Sequence, residues 1–194
     1  MRLRFGAAMS AKGGRTALVG AEVREGRDRQ GRLYHEFLVG HVERVAPGTV
    51  EAAAARVAEL MSDFADLRPC ALVDVGTAQG LALHRALRGA YPDALHRAHA
   101  YAGTGDRRDL FAAFLQAYST GRVRFLQGLA HRAELDRALV NYLGGGTAKT
   151  GVELASEDEA LVIALGLALF WPRHGPKADA VSPPAAPGAG QGGA

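Results

Sequence analysis

The chain has 194 residues, the size of one domain with a tail. Hydrophobic residues make up 48%, enough to bury a core, and 23 Lys plus Arg against 20 Asp plus Glu leave a net charge of only +3. That balance permits nucleic-acid binding without arguing for it. The single cysteine, Cys70, excludes an internal disulfide and a cysteine-built zinc site, and it reads as a small buried hydrophobe. The two N-terminal arginines are not followed by a continuous apolar segment, so no signal peptide is read there. The run at 160–171 falls short of the roughly 18 apolar residues of a membrane span. A cytoplasmic protein is the expectation.

In chain order, residues 2–10 predict a strand and "AKGGRT" a turn. Residues 16–26 predict a second strand, and 32–45 a third, rich in aromatic and β-branched side chains. The short turns between them imply an antiparallel meander. Pro47-Gly48 then breaks the chain, and Thr49 caps a helix over 50–67, with Val50, Ala54, Val57, Leu60, Met61 and Phe64 at helical spacing. The apolar run at 70–75 predicts a strand buried on both faces. Residues 78–89 read as a helix and 93–103 as a weaker strand. Asp106 caps a helix that Gly121 ends. "RVRFL" follows as an extended piece, then a helix over 130–143 and a glycine loop. The last helix, 156–171, is apolar and ended by Pro172. Residues 173–194, rich in Pro, Gly and Ala, predict a disordered tail. The expected fold class is α/β: a three-strand meander joined to parallel strands in one mixed sheet, with helices on both faces.

Asp74 ends the apolar strand "ALVD" just before a glycine turn. The turn "VGTAQGLAL" matches neither phosphate-cradling glycine fingerprint. Asp74 therefore reads either as a strand-end residue capping the next helix, or as a metal or acid–base carboxylate at the strand edge where open sheets place sites. In "SEDEAL", Ser156 and Glu159 have capping-box spacing, and Asp158 suits a first helical turn. The same acids could hold a divalent cation, which takes one or two carboxylates plus water and phosphate oxygens. His96 and His99 fall on opposite faces of the weaker strand and make no zinc pair. Ser–His–Asp catalysis lacks its nucleophile turn. Arg107, Arg108, Lys149 and Lys12 are candidate phosphate contacts, and each is equally readable as a solvated charge.

The order of "LVDVGTAQG", "GDRRDL", "TGRVRFL" and "EDEALVIALGLALFW" resembles the C-terminal nuclease domain of phage large terminases. The resemblance covers about residues 3–171 and implies a ribonuclease H-like fold over residues 1–172. It implies hydrolysis of double-stranded DNA by a pair of Mg²⁺ or Mn²⁺ ions in phage DNA packaging, in the host cytoplasm. The acids it implies come from the first strand, the central strand and the last helix. The central acid falls on Asp74, and the last-helix pair falls on Glu159 and Ala160, so one acid is kept and one is lost, with Asp158 one step away as a possible substitute. The first-strand position falls on Ala8, which offers no ligand, and no acid lies between Met1 and Ala21. Since so much positive charge must be neutralised in one place, losing that carboxylate weakens the metal pair. No Walker A sequence is present, so an ATPase would be a separate packaging partner. Two functions follow as expectations: a metal-dependent nuclease with a depleted site, or a catalytically silent relative that binds DNA or a protein.

Overall fold

The computed structural model describes residues 2–10, 15–46, 48–98, 105–144 and 156–169. Lys12, Lys149, His99 and the expected tail lie outside them, as do the side chains of Asp106, Arg107, Arg108, Ser156 and Glu157.

Three strands, β1 (Arg2–Met9), β2 (Thr16–Arg27) and β3 (Leu33–Val45), form the antiparallel meander. The helix α1 (Val50–Asp63) follows, capped as expected by Thr49, whose Oγ1 accepts from the Ala52 N–H. It is shorter than the spacing predicts, because Ala65–Leu67 tightens into a 3₁₀ turn that ends on Arg68 in the left-handed region. Then come β4 (Cys70–Asp74), α2 (Ala78–Arg88), β5 (Leu95–Ala98), α3 (Gly105–Ser119), β6 (Val123–Phe125), α4 (Arg132–Gly144) and α5 (Ser156–Leu169). The sheet order is β5-β4-β1-β2-β3-β6, with β4 parallel to β1, β5 parallel to β4 and β6 parallel to β3. This is the expected mixed sheet, a three-strand antiparallel meander joined to parallel strands, with helices on both faces.

Three local expectations need correction. Asp106 is the second residue of α3, which begins at Gly105, so it lies inside the first turn rather than ahead of it. Cys70 is only half-buried; its thiol is pushed up by burial, with Arg4 and Arg2 opposing. Asp74 does not cap α2: Thr77 does, its Oγ1 accepting from Gly80 N–H at 3.0 Å. Gly121, by contrast, ends α3 as expected. Its φ of +67° lets its own N–H reach Tyr118 and the Arg122 N–H reach Ala117, satisfying the last carbonyls.

Alternation along the strands splits the core in two. One face of the sheet packs Phe5, Ala7, Met9, Leu18 and Val73 against α1 and α2. The other packs Ala8, Ala17, Val19, Ala21 and Val42 against α3, α4 and α5. Every residue of α5 from Ala160 to Leu169 is buried, so the helix is apolar all round. It lies between the sheet and the outer helices. On the sheet side, a Cβ at Gly6 would sit 2.0 Å from the Ala164 carbonyl oxygen. On the other side, a Cβ at Gly166 would sit 2.5 Å from Leu110 Cδ2. Two glycines thus let α5 be gripped from both sides. Each of its fully buried Leu and Ile side chains stabilises the fold by about 1.5–3 kcal/mol.

Candidate functional site

The strand registers place one row of residues across the α5 side of the sheet. Ala7 pairs with Val73 in the parallel β1–β4 ladder, so the next step sets Ala8 beside Asp74. Ala8 pairs with Ala17 on β2, and Ala17 with Arg44 on β3. The row therefore reads Asp74, Ala8, Ala17, Arg44. It begins with a carboxylate, passes two methyl groups and ends in a guanidinium. The N-terminal turn of α5, carrying Asp158 and Glu159, belongs to the helix that covers this face.

Asp74 is fully buried, and its Oδ1 accepts from the Gly76 N–H at 3.0 Å. That bond ties the carboxylate to the turn after β4. A Cβ at Gly80 would sit 1.9 Å from the Asp74 carbonyl oxygen, so glycine there lets α2 start against the strand end. Much of the "GTAQG" turn is thereby accounted for by the needs of β4 and α2. The carboxylate itself faces the α5 side, where a ligand would be wanted.

The other end of the row is an ion-pair network. Arg44 is only 4% exposed in its side chain, and its Nη2 donates to Asp158 Oδ1 at 2.9 Å. Its Nε lies 2.8 Å from Glu134 Oε2 on α4. Arg137 Nη2 stands 3.9 Å from the same Asp158 oxygen. His131 Nδ1 lies 2.9 Å from Glu134 Oε1, and its backbone adopts a φ of +55° to start α4. The Glu134 carboxyl is held below the usual range by the His131 hydrogen bond and further by Arg44, against the effect of burial. One buried cation therefore joins β3, α4 and α5, hydrogen-bonded to Asp158 and ion-paired with Glu134. A buried guanidinium needs such partners, because an unpaired charge at that depth is costly.

Of the residues the sequence singles out, Asp74, Ala8 and Asp158 sit on this face. Asp158 is drawn to Arg44. Glu159, its neighbour, is half-buried in the first turn of α5. Among the described residues, no three or more His, Cys, Asp or Glu side chains gather closely enough to hold a metal ion. Arg107 and Arg108 lie in the first turn of α3. Sequence reasoning passes over Arg44, Glu134 and Arg137. For Arg44 the reason is a bulge: Gly20 pairs with His41 and Ala21 with Val39, leaving Gly40 as the extra residue on β3. Counting alternation from Phe37 and Val39 puts residue 44 on the opposite face. The bulge reverses that parity and turns Arg44 inward.

The donor set does not fit a pair of divalent cations. A two-metal site needs clustered carboxylates around ions about 3.5–4 Å apart. Here the position beside Asp74 is a fully buried alanine, the next is another, and Asp158 already neutralises a guanidinium.

No protein-family model matches the chain, and no curated protein does. Two solved structures are similar to it. The human cytomegalovirus terminase nuclease domain matches over 86% of this chain and 80% of its own, at 16% identity and a TM-score of 0.44. The Thermus thermophilus RuvC structure matches over 87% of this chain and 94% of its own, at 17% identity and a TM-score of 0.40. Among the described residues, no helix is long and apolar enough to cross a membrane.

Proposed function

We propose that this chain is a catalytically silent, terminase-nuclease-like domain that binds double-stranded DNA. The observation that carries the reading is the Arg44–Asp158 pair. Asp158, the acid that stands one step from the Glu159-Ala160 position of the motif order and would have to substitute for its missing carboxylate, is held instead by a cation built into the protein. The ribonuclease H-like sheet and the terminase-like motif order support the DNA-binding part. A role in phage DNA packaging is the setting that fits this reading.

The competing reading is a working Mg²⁺- or Mn²⁺-dependent nuclease using Asp74, Glu159 and Asp158. What favours it is Asp74, kept as a buried carboxylate at the edge of β4. Supercoiled plasmid incubated with Mn²⁺ separates the two. The silent reading expects no nicking by the wild type. Nicking that vanishes in Asp74→Ala would overturn it. The DNA-binding half is tested by fluorescence anisotropy with a labelled duplex, where phosphate contacts make affinity fall steeply with salt. Weak binding that does not respond to salt would count against it.

A further inference from the structure

The β2–β3 pair runs past the rest of the sheet. The β1–β2 ladder stops at Arg2 and Val23, and β6 joins β3 only from Phe37 onward. Four more rungs continue between β2 and β3 alone, from Arg24–Glu36 to Arg27–Leu33. At about 3.4 Å per residue, this two-stranded ribbon projects roughly 14 Å beyond its neighbours. Its tip lies at the far end of β2 from Ala17, ten residues away, or roughly 34 Å along the strand. It is a separate surface from the Asp74 row.

The ribbon is built to hold its shape without a third strand. The Tyr34 ring lies over Gly26, where a Cβ would come within 2.5 Å of it, and the Arg122 guanidinium stacks on that ring at 5.3 Å. At the tip, Asp28 Oδ1 accepts from both the Gln30 and Arg32 N–H groups. The Gly31 N–H donates to the Asp28 carbonyl, with Gly31 at a φ of +75°, and Arg27 Nη1 donates to the Gly31 carbonyl. Residues 24–32 carry four arginines against two acids, and of the four Arg24 is already paired with Glu22 just before this span. One acid, Asp28, is committed to the turn; the other, Glu25, faces His35 Nε2 at 3.8 Å. Arg29 and Arg32 stand exposed on this ordered tip.

Protecting open strand edges from other chains requires charge, but charge of either sign serves. The tip is biased to arginine, and its order is fixed before any partner arrives, which lowers the entropic cost of binding. A two-stranded ribbon also has the width of a B-form major groove, about 12 Å. We infer that the β2–β3 tip is a pre-organised arm that seats in the groove of duplex DNA, with Arg29 and Arg32 on the backbone phosphates. This rests on the DNA-binding reading above and adds its contact surface.

The test is anisotropy of a labelled duplex of about 20 base pairs across a salt series. Wild type is compared with Arg29→Glu/Arg32→Glu and with the milder Arg29→Ala/Arg32→Ala. Both side chains are exposed, so melting temperatures should match the wild type. Losing two phosphate contacts should reduce the log–log salt slope by about 1.8. Affinity at low salt should drop at least tenfold for the Glu pair, and less for the Ala pair. Wild-type binding with a steep salt slope that both variants retain would overturn the arm and leave the DNA-binding reading intact. No duplex binding by the wild type would overturn that reading instead. Tighter binding to a labelled poly-glutamate peptide than to the duplex would assign the arm to an acidic protein partner and overturn the proposal.

Discussion

The two ends of the β2–β3 pair handle charge in opposite ways. At the end beside α5, Arg44 is buried and its charge is consumed internally by Asp158 and Glu134. At the other end, Arg29 and Arg32 are exposed, and the hydrogen bonds of the turn come from backbone groups, Asp28 and Arg27. The same residue type thus serves as an internal strut in one place and an outward contact in the other. Burial decides which. A desolvated guanidinium must find carboxylates or destabilise the fold, whereas a solvated one costs little to leave available. The difference teaches that the end beside α5 satisfies its buried charges within the fold. The end without any motif is the one that presents charge outward.

The comparison breaks most sharply at Arg44. Arg44→Met strands Asp158 against α5 without its main cation and should cost about 3–5 kcal/mol of stability in urea unfolding. The paired change Arg44→Met/Asp158→Leu should recover much of that, because an apolar pair of similar size can replace a buried ion pair. Equal losses in the single and double variants would mean that the pair is not the strut. The exposed tip gives the contrast: arginine substitutions there should stay within about 0.5 kcal/mol.

An intermediate effect comes with acid. His41 is pushed below the ordinary histidine range by burial, against the pull of Glu43, with which its Nε2 shares a 3.0 Å contact; Arg56 and His131 also lower it. The unfolded chain therefore takes up this proton first as pH falls through about 6.5. Stability from the neutral ring is present above that pH and is lost as pH falls through the lower folded value. Glu134, also depressed, adds a second loss below about pH 4.3, where the unfolded carboxyl protonates. Thermal melts from about pH 7.5 to about pH 2.5 should show both steps. His96 is also pushed down by burial and shares that window, so His41→Gln should shrink the first step and leave the second. An unchanged first step in that variant would place its origin elsewhere.

The smallest effect belongs to the ribbon. Arg122→Ala removes the stack on Tyr34 and should cost about 0.5–1 kcal/mol. Hydrogen exchange at the Gly26 and Arg27 amides should quicken while amides of β1 do not change. Equal quickening in both strands would mean that Arg122 supports the whole sheet rather than its projecting part.

Much of this architecture was legible from local chemistry. The meander followed from alternation and short turns, Thr49 and Gly121 marked helix ends, and Pro47-Gly48 marked the change of period. Asp74 at the end of an apolar strand, and Ala8 in the first strand, were identifiable before any coordinates. What escaped were consequences of tertiary geometry. Gly40 reads as an ordinary strand glycine, yet as a bulge it reverses the facing of everything after it and brings Arg44 inside. Asp158 and Glu159 look like a free acidic pair until the partner 114 residues away is known. The arginines at 24–32 have no periodic signature. Their meaning depends on where β1 stops and where β6 begins.

The central claim is that the Asp74 face no longer holds a metal pair, because Ala8 supplies no oxygen and Asp158 is held by Arg44. Electron paramagnetic resonance of Mn²⁺ titrated into the intact protein measures this directly, with Asp74→Ala as the background. The account predicts the same free-Mn²⁺ signal for both proteins at every point of the titration. Two Mn²⁺ ions bound per wild-type chain, and lost in Asp74→Ala, would contradict it.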